Sequence, residues 1–319
     1  MRRVAVTVLV LALLGGTAAA FTVTEALKLE RSPLTAPRFA DVLAPTCACR
    51  RQVARLSFLL RQPDRLDVAI VSGDDPVRTL AHDLDRSRGR VRVRWDGKDD
   101  AGAVVPDGVY RLRVSLQKID RTILFPNRIR VDTEAPELEV VGVEPAAFSP
   151  DGDGRRDTVT IGLRTNEAGE VLLFANGQLA AEARMEAEGE SDLVWDGRVE
   201  GRPLRQDVHT LFARARDAAG NLSPAVRVSV QIRYVEVVPT RVVARRGTRL
   251  RFRVLSDAAR VSWRLRRPGG GQVLADTRAK PGFVSVLLPD RIRAGRYVLD
   301  VRANGHRNRA VVRIVRRSG

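Results

Sequence analysis

Residues 95–114 read WDGKDDAGAVVPDGVYRLRV, and residues 195–214 read WDGRVEGRPLRQDVHTLFAR. Each stretch begins with a tryptophan at the end of an alternating strand and continues through a turn and a polar loop into another alternating strand. The Asp-Gly pairs suit tight turns, because glycine accepts a positive φ and aspartate caps its own turn. A phrase that recurs after one hundred residues indicates tandem modules. The repeat therefore predicts two copies of one β module.

Outside the repeat, apolar and polar residues alternate through most of the chain, for example over 66–70 and 250–254. A period of two with one apolar face is typical of half-buried antiparallel strands. Several short strands separated by turn residues indicate a sandwich. We therefore expect an all-β fold of tandem Ig-like antiparallel β-sandwiches after a single N-terminal helix. The predicted bounds of the three sandwiches are 52–133, 134–234 and 235–319.

The charge of the chain is strongly positive: its 319 residues carry a formal net charge of +17, with a pI near 11.2. Such a charge is common among proteins that bind nucleic acids. Only four of the basic residues are lysines, however, and arginines alternate with apolar residues, as at Arg90, Arg92 and Arg94. This pattern is typical of solvent-facing strand surfaces, so no nucleic-acid partner is expected. Attraction to anionic cell-wall polymers or lipid headgroups remains open.

Residues 1–34 are predicted to form a membrane anchor or a signal helix. Two arginines, Arg2 and Arg3, precede an uncharged run over 4–23. A helix of that length spans roughly 30 Å, enough for the hydrocarbon core of a bilayer. The arginines favour a cytoplasmic N-terminus, which places the rest of the chain outside the cell as a single-pass membrane protein. The alternative is secretion after cleavage of a signal peptide near Ala20.

The two cysteines, Cys47 and Cys49, lie in the sequence PTCACR at the end of a predicted linker over 35–51. Prolines and the lack of a sustained period favour a linker there. A local disulfide, an intermolecular disulfide and two free thiols all remain open. Two thiols without a nearby histidine are too few for a structural zinc site.

The first module resembles the Ig-like domain of flagellar hook-capping proteins, which recurs in many bacterial surface proteins. The matching residues are Val77-Arg78-Thr79-Leu80, Trp95-Asp96-Gly97, Asp100, Gly102 and Pro106-Asp107-Gly108-Val109-Tyr110. The resemblance implies that Trp95 and Tyr110 project inward and fill a core with few other aromatic side chains. In the second module His209 aligns with Tyr110, which makes it a packing residue rather than a ligand. His82 and His306 belong to no motif and are expected at the surface.

The second module contains FSPDGDGRRD at 148–157 and resembles extracellular domains of the FSPNGDG type. The motif brings Asp151, Asp153 and Asp157 within seven residues. Carboxylates at alternate positions in a glycine-containing loop suit a hard cation such as Ca²⁺. The alternative is a loop held by side-chain-to-backbone hydrogen bonds. The sequence DAAGN at 217–221 resembles the closing motif of bacterial Ig-like repeats and predicts a structural corner.

No nucleophile elbow, phosphate-binding loop or zinc-protease motif occurs in the sequence. We therefore expect no catalytic residues and no cofactor apart from the calcium considered above. The expected function is a structural or adhesion role for a membrane-anchored, extracytoplasmic Ig-like repeat protein at the cell envelope, with cell-wall polymers or other surface proteins as partners. One alternative is a module that binds a cell-wall polymer or glycan. Another is a scaffold like the hook cap, against which the predicted membrane segment argues.

Overall fold

The computed structural model describes residues 14–17 and 32–316. The residues from 32 onward form strands joined by turns, which confirms the prediction of an all-β chain. Residues 14–17 are helical, and the rest of the predicted anchor or signal helix lies outside the described residues. Within the described ranges, no helix has the length and apolar character needed to cross a membrane. The chain divides into two compact units, Met1–Thr133 and Glu134–Gly319.

The first unit contains one sandwich of two sheets. Its strands are β1 (Leu34–Arg38), β2 (Val42–Leu43), β3 (Ala54–Leu60), β4 (Asp64–Ser72), β5 (Asp75–Arg86), β6 (Gly89–Trp95), β7 (Gly108–Leu116), β8 (Arg121–Leu124) and β9 (Ile129–Val131), and a 3₁₀ helix spans Arg50–Gln52. One sheet has the order β1-β3-β6, and the other has the order β2-β9-β7-β4-β5, with β8 paired to β7. All pairings are antiparallel except that of β2 with β9.

The prediction of a linker over 35–51 was wrong for its first part. Strand β1 pairs with β3, and β2 pairs with β9. Leu34 and Leu43 are buried in the core of the first sandwich. A bulge between Thr35 and Arg38 shifts the register of β1, and β2 has only two residues. In segments this short and irregular, apolar and polar residues do not alternate long enough for a strand to be recognised from the sequence.

The second sandwich opens the second unit. Its strands are β10 (Leu138–Glu144), β11 (Val159–Thr165), β12 (Gly169–Ala175), β13 (Gln178–Met185), β14 (Gly189–Trp195), β15 (Arg198–Val199), β16 (Arg202–Pro203), β17 (Asp207–Asp217) and β18 (Val226–Ile232). The sheets have the orders β10-β11-β14 and β13-β12-β17-β18, and β15 and β16 form a small hairpin. Phe148 and Ile232 form an isolated parallel bridge.

The third sandwich completes the second unit and has its own buried core, which runs from Val235 to Ile314. Its strands are β19 (Glu236–Val238), β20 (Arg241–Arg245), β21 (Arg249–Leu255), β22 (Val261–Arg266), β23 (Gln272–Ala279), β24 (Gly282–Leu287), β25 (Gly295–Ala303) and β26 (His306–Val315). The sheets have the orders β19-β21-β24 and β20-β26-β25-β22-β23. Strands β20 and β26 run parallel over five residue pairs.

The repeated WDG phrase forms the same structure in both copies. Trp95 and Trp195 are buried, and each donates its indole N–H to the carbonyl three residues later, on Lys98 and Arg198, over 2.9 Å. Trp95 also packs edge to face on Tyr110, with ring centroids 5.2 Å apart. An aromatic ring at this position fills the core while its polar edge reaches a backbone acceptor.

A second shared contact identifies equivalent positions in all three sandwiches. Tyr110 donates its hydroxyl to the carbonyl of Pro106 over 2.7 Å, and Tyr297 makes the same bond to Arg293 over 2.7 Å. In the second sandwich a ring nitrogen of His209 lies 2.8 Å from the carbonyl of Arg205, again four residues earlier. His209 therefore takes the place of the tyrosine, as the alignment of the two modules predicted.

Candidate functional site

The three sandwiches have comparable cores but differ on the outward faces of their three-stranded sheets. The outward face of β1, β3 and β6 is called the arginine face here. Its arginines are Arg38, Arg55, Arg90, Arg92 and Arg94. None of the residues in these three strands is Asp or Glu. The face therefore carries only positive charge.

Strand pairing sets the layout of the arginine face. Arg55 lies opposite Arg94, and Ser57 lies between Arg38 and Arg92. The Cα atoms of residues two apart on one strand are about 6.8 Å apart, so the arginine side chains of β6 leave the strand at regular intervals. Arg90 crosses toward β1 and donates to the Ser57 hydroxyl at 3.2 Å and to a carbonyl of β1 at 3.3 Å.

No acidic side chain of the described chain forms an ion pair with any of the five arginines. Four of the five are exposed, and Arg90 is half-buried. Guanidinium groups keep their charge at all ordinary pH values. A cluster of like charges without counter-ions repels itself, and an anion from outside the chain relieves that repulsion.

The corresponding sheet of the second sandwich, β10-β11-β14, carries the opposite charge. Arg164 forms ion pairs with Glu139 and Glu190, and Glu144 and Asp192 also lie in its strands. The hydrogen bond that Arg164 donates to Glu190, followed by the charges of Glu190 and Glu139, raises the pKa of Arg164. The corresponding three-stranded sheets of the first and second sandwiches thus present opposite charges to solvent.

The third sandwich presents a mixed face. Arg249, Arg251 and Arg253 alternate along β21, opposite Leu287, Ser285 and Phe283 of β24. The Phe283 side chain is 86% exposed, and the guanidinium carbon of Arg253 lies 5.3 Å from its ring centroid. Strand β24 is at the edge of its sheet. An exposed aromatic group beside cations is a common element of interaction surfaces.

The predicted calcium ligands do come together. One carboxylate oxygen from each of Asp151, Asp153 and Asp157 lies within 4.8 Å of the others. Asp157 also accepts hydrogen bonds from the backbone N–H groups of Gly152 and Gly154, both at 2.7 Å. These bonds match the alternative in which the side chains hold the loop. Calcium binding therefore stays a prediction.

The acidic loop also contacts the third sandwich, which the sequence did not reveal. The Asn304 amide donates to Asp151 at 3.0 Å and to Asp153 at 2.7 Å. Ser149, just before the loop, donates to the carboxylate of Asp257 at 2.5 Å. Burial raises the pKa of Asp257 and the charges of Asp151 and Asp153 act in the same direction, although the hydrogen bond from Ser149 opposes them.

The other residues that the sequence analysis singled out form bonds within the first and second sandwiches. Cys47 and Cys49 are joined by a disulfide bond. Asp217 accepts the backbone N–H groups of Gly220 and Asn221 at 2.5 and 2.8 Å and forms the predicted corner. His82 is exposed, as expected, but its Nδ1 lies 2.7 Å from Asp67, a partner that no motif indicated.

His306 was expected at the surface but stacks on buried Tyr234, with ring centroids 3.6 Å apart. The two rings line an open cavity of about 430 Å³ between the second and third sandwiches, together with Arg205, Gln206 and Asn308. This contact depends on how the two sandwiches pack against each other. No pattern within the sequence of either sandwich predicts that packing.

No protein-family model matches the chain, and no curated protein matches it. Solved structures with a similar fold include fibronectin(III)-like modules of Clostridium thermocellum CbhA, at 14% identity and a TM-score of 0.36, covering 62% of this chain and 94% of theirs. A tandem of domains from titin aligns at 9% identity and a TM-score of 0.31, covering 88% of this chain and all of its own length. A third is SGBP-B from a Bacteroides ovatus mixed-linkage glucan utilization locus, in complex with a heptasaccharide, at 13% identity and a TM-score of 0.24, covering 88% of this chain and 71% of its own. Likeness at this level concerns the fold and carries no information about function.

Proposed function

We propose that this protein is a non-catalytic, extracytoplasmic interaction protein of the cell envelope, held at the membrane by its N-terminal segment. Its sandwiches would act as spacers and binding platforms, and the arginine face would contact an anionic envelope component. The observation that carries this proposal is that face, with five guanidinium groups and no carboxylate in its three strands.

Charge distribution supports this proposal more than net charge does. Positive charge on all surfaces would attract any polyanion weakly, whereas here one outward sheet face is purely cationic and its counterpart in the second sandwich carries paired and unpaired carboxylates. Such an arrangement favours an anionic partner on the arginine face over the acidic face of the second sandwich. It also leaves the acidic face free to discourage the same partner.

Retention of the full-length protein on purified cell envelope tests the proposal. We expect binding that is lost at moderate salt, because interactions between exposed charges are screened. The triple variant R90Q/R92Q/R94Q should lose most of the retention. Retention that is unaffected by both salt and these substitutions contradicts the proposal.

A second candidate function is contact with another surface protein through the third sandwich. The exposed ring of Phe283 lies on an edge strand that can accept a further strand. A Phe283→Ser variant should then lose partner crosslinks from position 285 of β24, while R90Q/R92Q/R94Q should keep them. The reverse result assigns the contact to the arginine face.

A further inference from the structure

We infer that the arginine face binds a linear, phosphodiester-linked polymer of the cell envelope, aligned along β6 with further contacts on β3 and β1. This inference rests on the proposed function, because it names the class of partner for the same surface. It is carried by the spacing, chemistry and surroundings of the five arginines.

Spacing favours a polymer over a small anion. Arg90, Arg92 and Arg94 stand about 6.8 Å apart in a row, and neighbouring strands are about 4.8 Å apart. Arg55 lies opposite Arg94 in the adjacent strand. A single phosphate group can reach one or two of these guanidinium groups, whereas a linear polyanion can engage the whole row. Each further contact is then intramolecular and strengthens binding without a new association step.

Chemistry favours phosphodiester groups. The planar guanidinium fork matches the two free oxygens of a phosphodiester with two parallel hydrogen bonds. Each such group bears one charge that does not titrate in the ordinary pH range. Ser57 lies on β3 between Arg38 of β1 and Arg92 of β6, and its hydroxyl group can donate a hydrogen bond to the same phosphate oxygens.

The surroundings favour a soluble polymer over a lipid surface. Segments that lie in a membrane interface combine cations with exposed aromatic or aliphatic side chains. Apart from its arginines, the outward positions of β3 and β6 hold only Ser57 and Leu59, both half-buried. The third sandwich shows the contrasting composition, with exposed Phe283 and Leu287 beside its arginines.

The test measures binding of the full chain, in detergent, to orthophosphate, tripolyphosphate and long-chain polyphosphate, whose internal units resemble phosphodiesters in carrying two free oxygens and one charge. We expect affinity to rise by about 100-fold or more from orthophosphate to the long chain. The logarithm of the affinity should fall linearly with the logarithm of salt concentration, and R90Q/R92Q/R94Q should reduce that slope by about 2, or about 0.7 for each lost contact. These side chains are outside the core, so an unchanged unfolding midpoint shows that the variant is folded.

The matched control is R249Q/R251Q/R253Q, which removes the same charge from alternate positions of one strand in the third sandwich. We expect it to change the affinity by less than about 2-fold, because the inferred polymer contacts the arginine face and substitutions elsewhere alter only the overall charge of the chain. Equal losses in the two triple variants would overturn the inference, because net charge alone would then explain binding.

Two further arms identify the source of the anion. Polyglutamate should bind at least about 10-fold more weakly than polyphosphate of similar length, and vesicles of phosphatidylcholine with phosphatidylserine should not displace polyphosphate. Equal binding of polyglutamate, or displacement by the vesicles, overturns the inference. If envelope retention depends on the arginine face but affinity does not grow with polyphosphate length, the proposed function stands and this inference fails. If neither effect occurs, both fail.

Discussion

The side-chain amide of Asn304 donates a hydrogen bond to the carboxylate of Asp153, 2.7 Å away, and so joins the third sandwich to the acidic loop of the second. The same amide also reaches Asp151. A loop for which the sequence left calcium binding open thus has a protein donor on one side. The Asn304 side chain holds two like charges next to each other, where they otherwise repel.

The first prediction concerns calcium at Asp151, Asp153 and Asp157. If the ion binds there, millimolar Ca²⁺ should raise the midpoint of thermal unfolding, because a ligand that binds only the folded state stabilises it. The D153N variant should abolish the increase, whereas D192N, which changes an exposed carboxylate on β14, should keep it. A midpoint that does not move with calcium rules out the site.

The second prediction concerns Asp300, which is 2% exposed and is bound by Arg266, Arg307 and Arg309. Burial alone would raise the pKa of its carboxyl group, but hydrogen bonds from Arg307 and Arg266 and their charges lower it below its ordinary value. The D300N variant should lose about 2–3 kcal/mol of the free energy of unfolding. Chemical denaturation measures this loss, with the exposed Glu188→Gln as the control.

The pH dependence follows from the direction of that pKa shift. A carboxyl group with a lowered pKa in the folded state stabilises the protein fully above its unfolded pKa of about 3.9. The contribution is lost as the pH falls through the lower, folded pKa. Stability of the wild type should therefore drop below about pH 4 more steeply than that of D300N. Parallel curves for the two proteins would contradict the assigned role of Asp300.

The third prediction concerns the glycine of the WDG phrase. Gly97 has a φ of +74°, and a Cβ there would lie 2.2 Å from Cγ of Pro45. Gly102 has a similar φ of +86° but open space around it. Both alanine variants carry backbone strain, but only G97A also forces the neighbouring proline to move. We expect G97A to lower the free energy of unfolding by about 2–3 kcal/mol more than G102A. Equal losses would show that the close approach to Pro45 does not matter.

The fourth prediction concerns His209. Because Tyr110 and Tyr297 bind the equivalent carbonyl in the other sandwiches, H209Y should keep or increase the free energy of unfolding. H209A should lose about 1 kcal/mol, the usual value of one hydrogen bond. The exposed neighbour Val208 provides the control V208A. A tyrosine that destabilises the second sandwich would show that the three positions are not interchangeable.

Much of the fold could be predicted because the alternation of apolar and polar residues that marks a strand can be read from neighbouring residues alone. The alternation around Tyr110 identified its strand and its inward face, and the repeated phrase identified the equivalent position of His209. The sequence also showed that Arg90, Arg92 and Arg94 share a face of one strand. It could not show that Arg55 stands opposite Arg94, since pairing of strands distant in the chain depends on packing of the whole sandwich.

The contacts between modules were the least predictable part of the candidate sites. Asn304 and Asp153 are separated by 151 residues, and neither belongs to a pattern that points to the other. The stacking of His306 on Tyr234 is of the same kind. Such contacts are determined by the packing of one sandwich against the next, for which a single sequence carries no local pattern.

The parallel pairing of β20 with β26 bears on how the protein responds to mechanical force. When the ends of a sandwich are pulled apart, parallel strands close to its two ends slide past each other, and their hydrogen bonds are loaded together rather than one at a time. The third sandwich has five such residue pairs, the first has two between β2 and β9, and the second has the single bridge of Phe148 with Ile232. If the chain is pulled from its two ends, it should therefore extend in its first two sandwiches before its third, an order that single-molecule force spectroscopy measures directly.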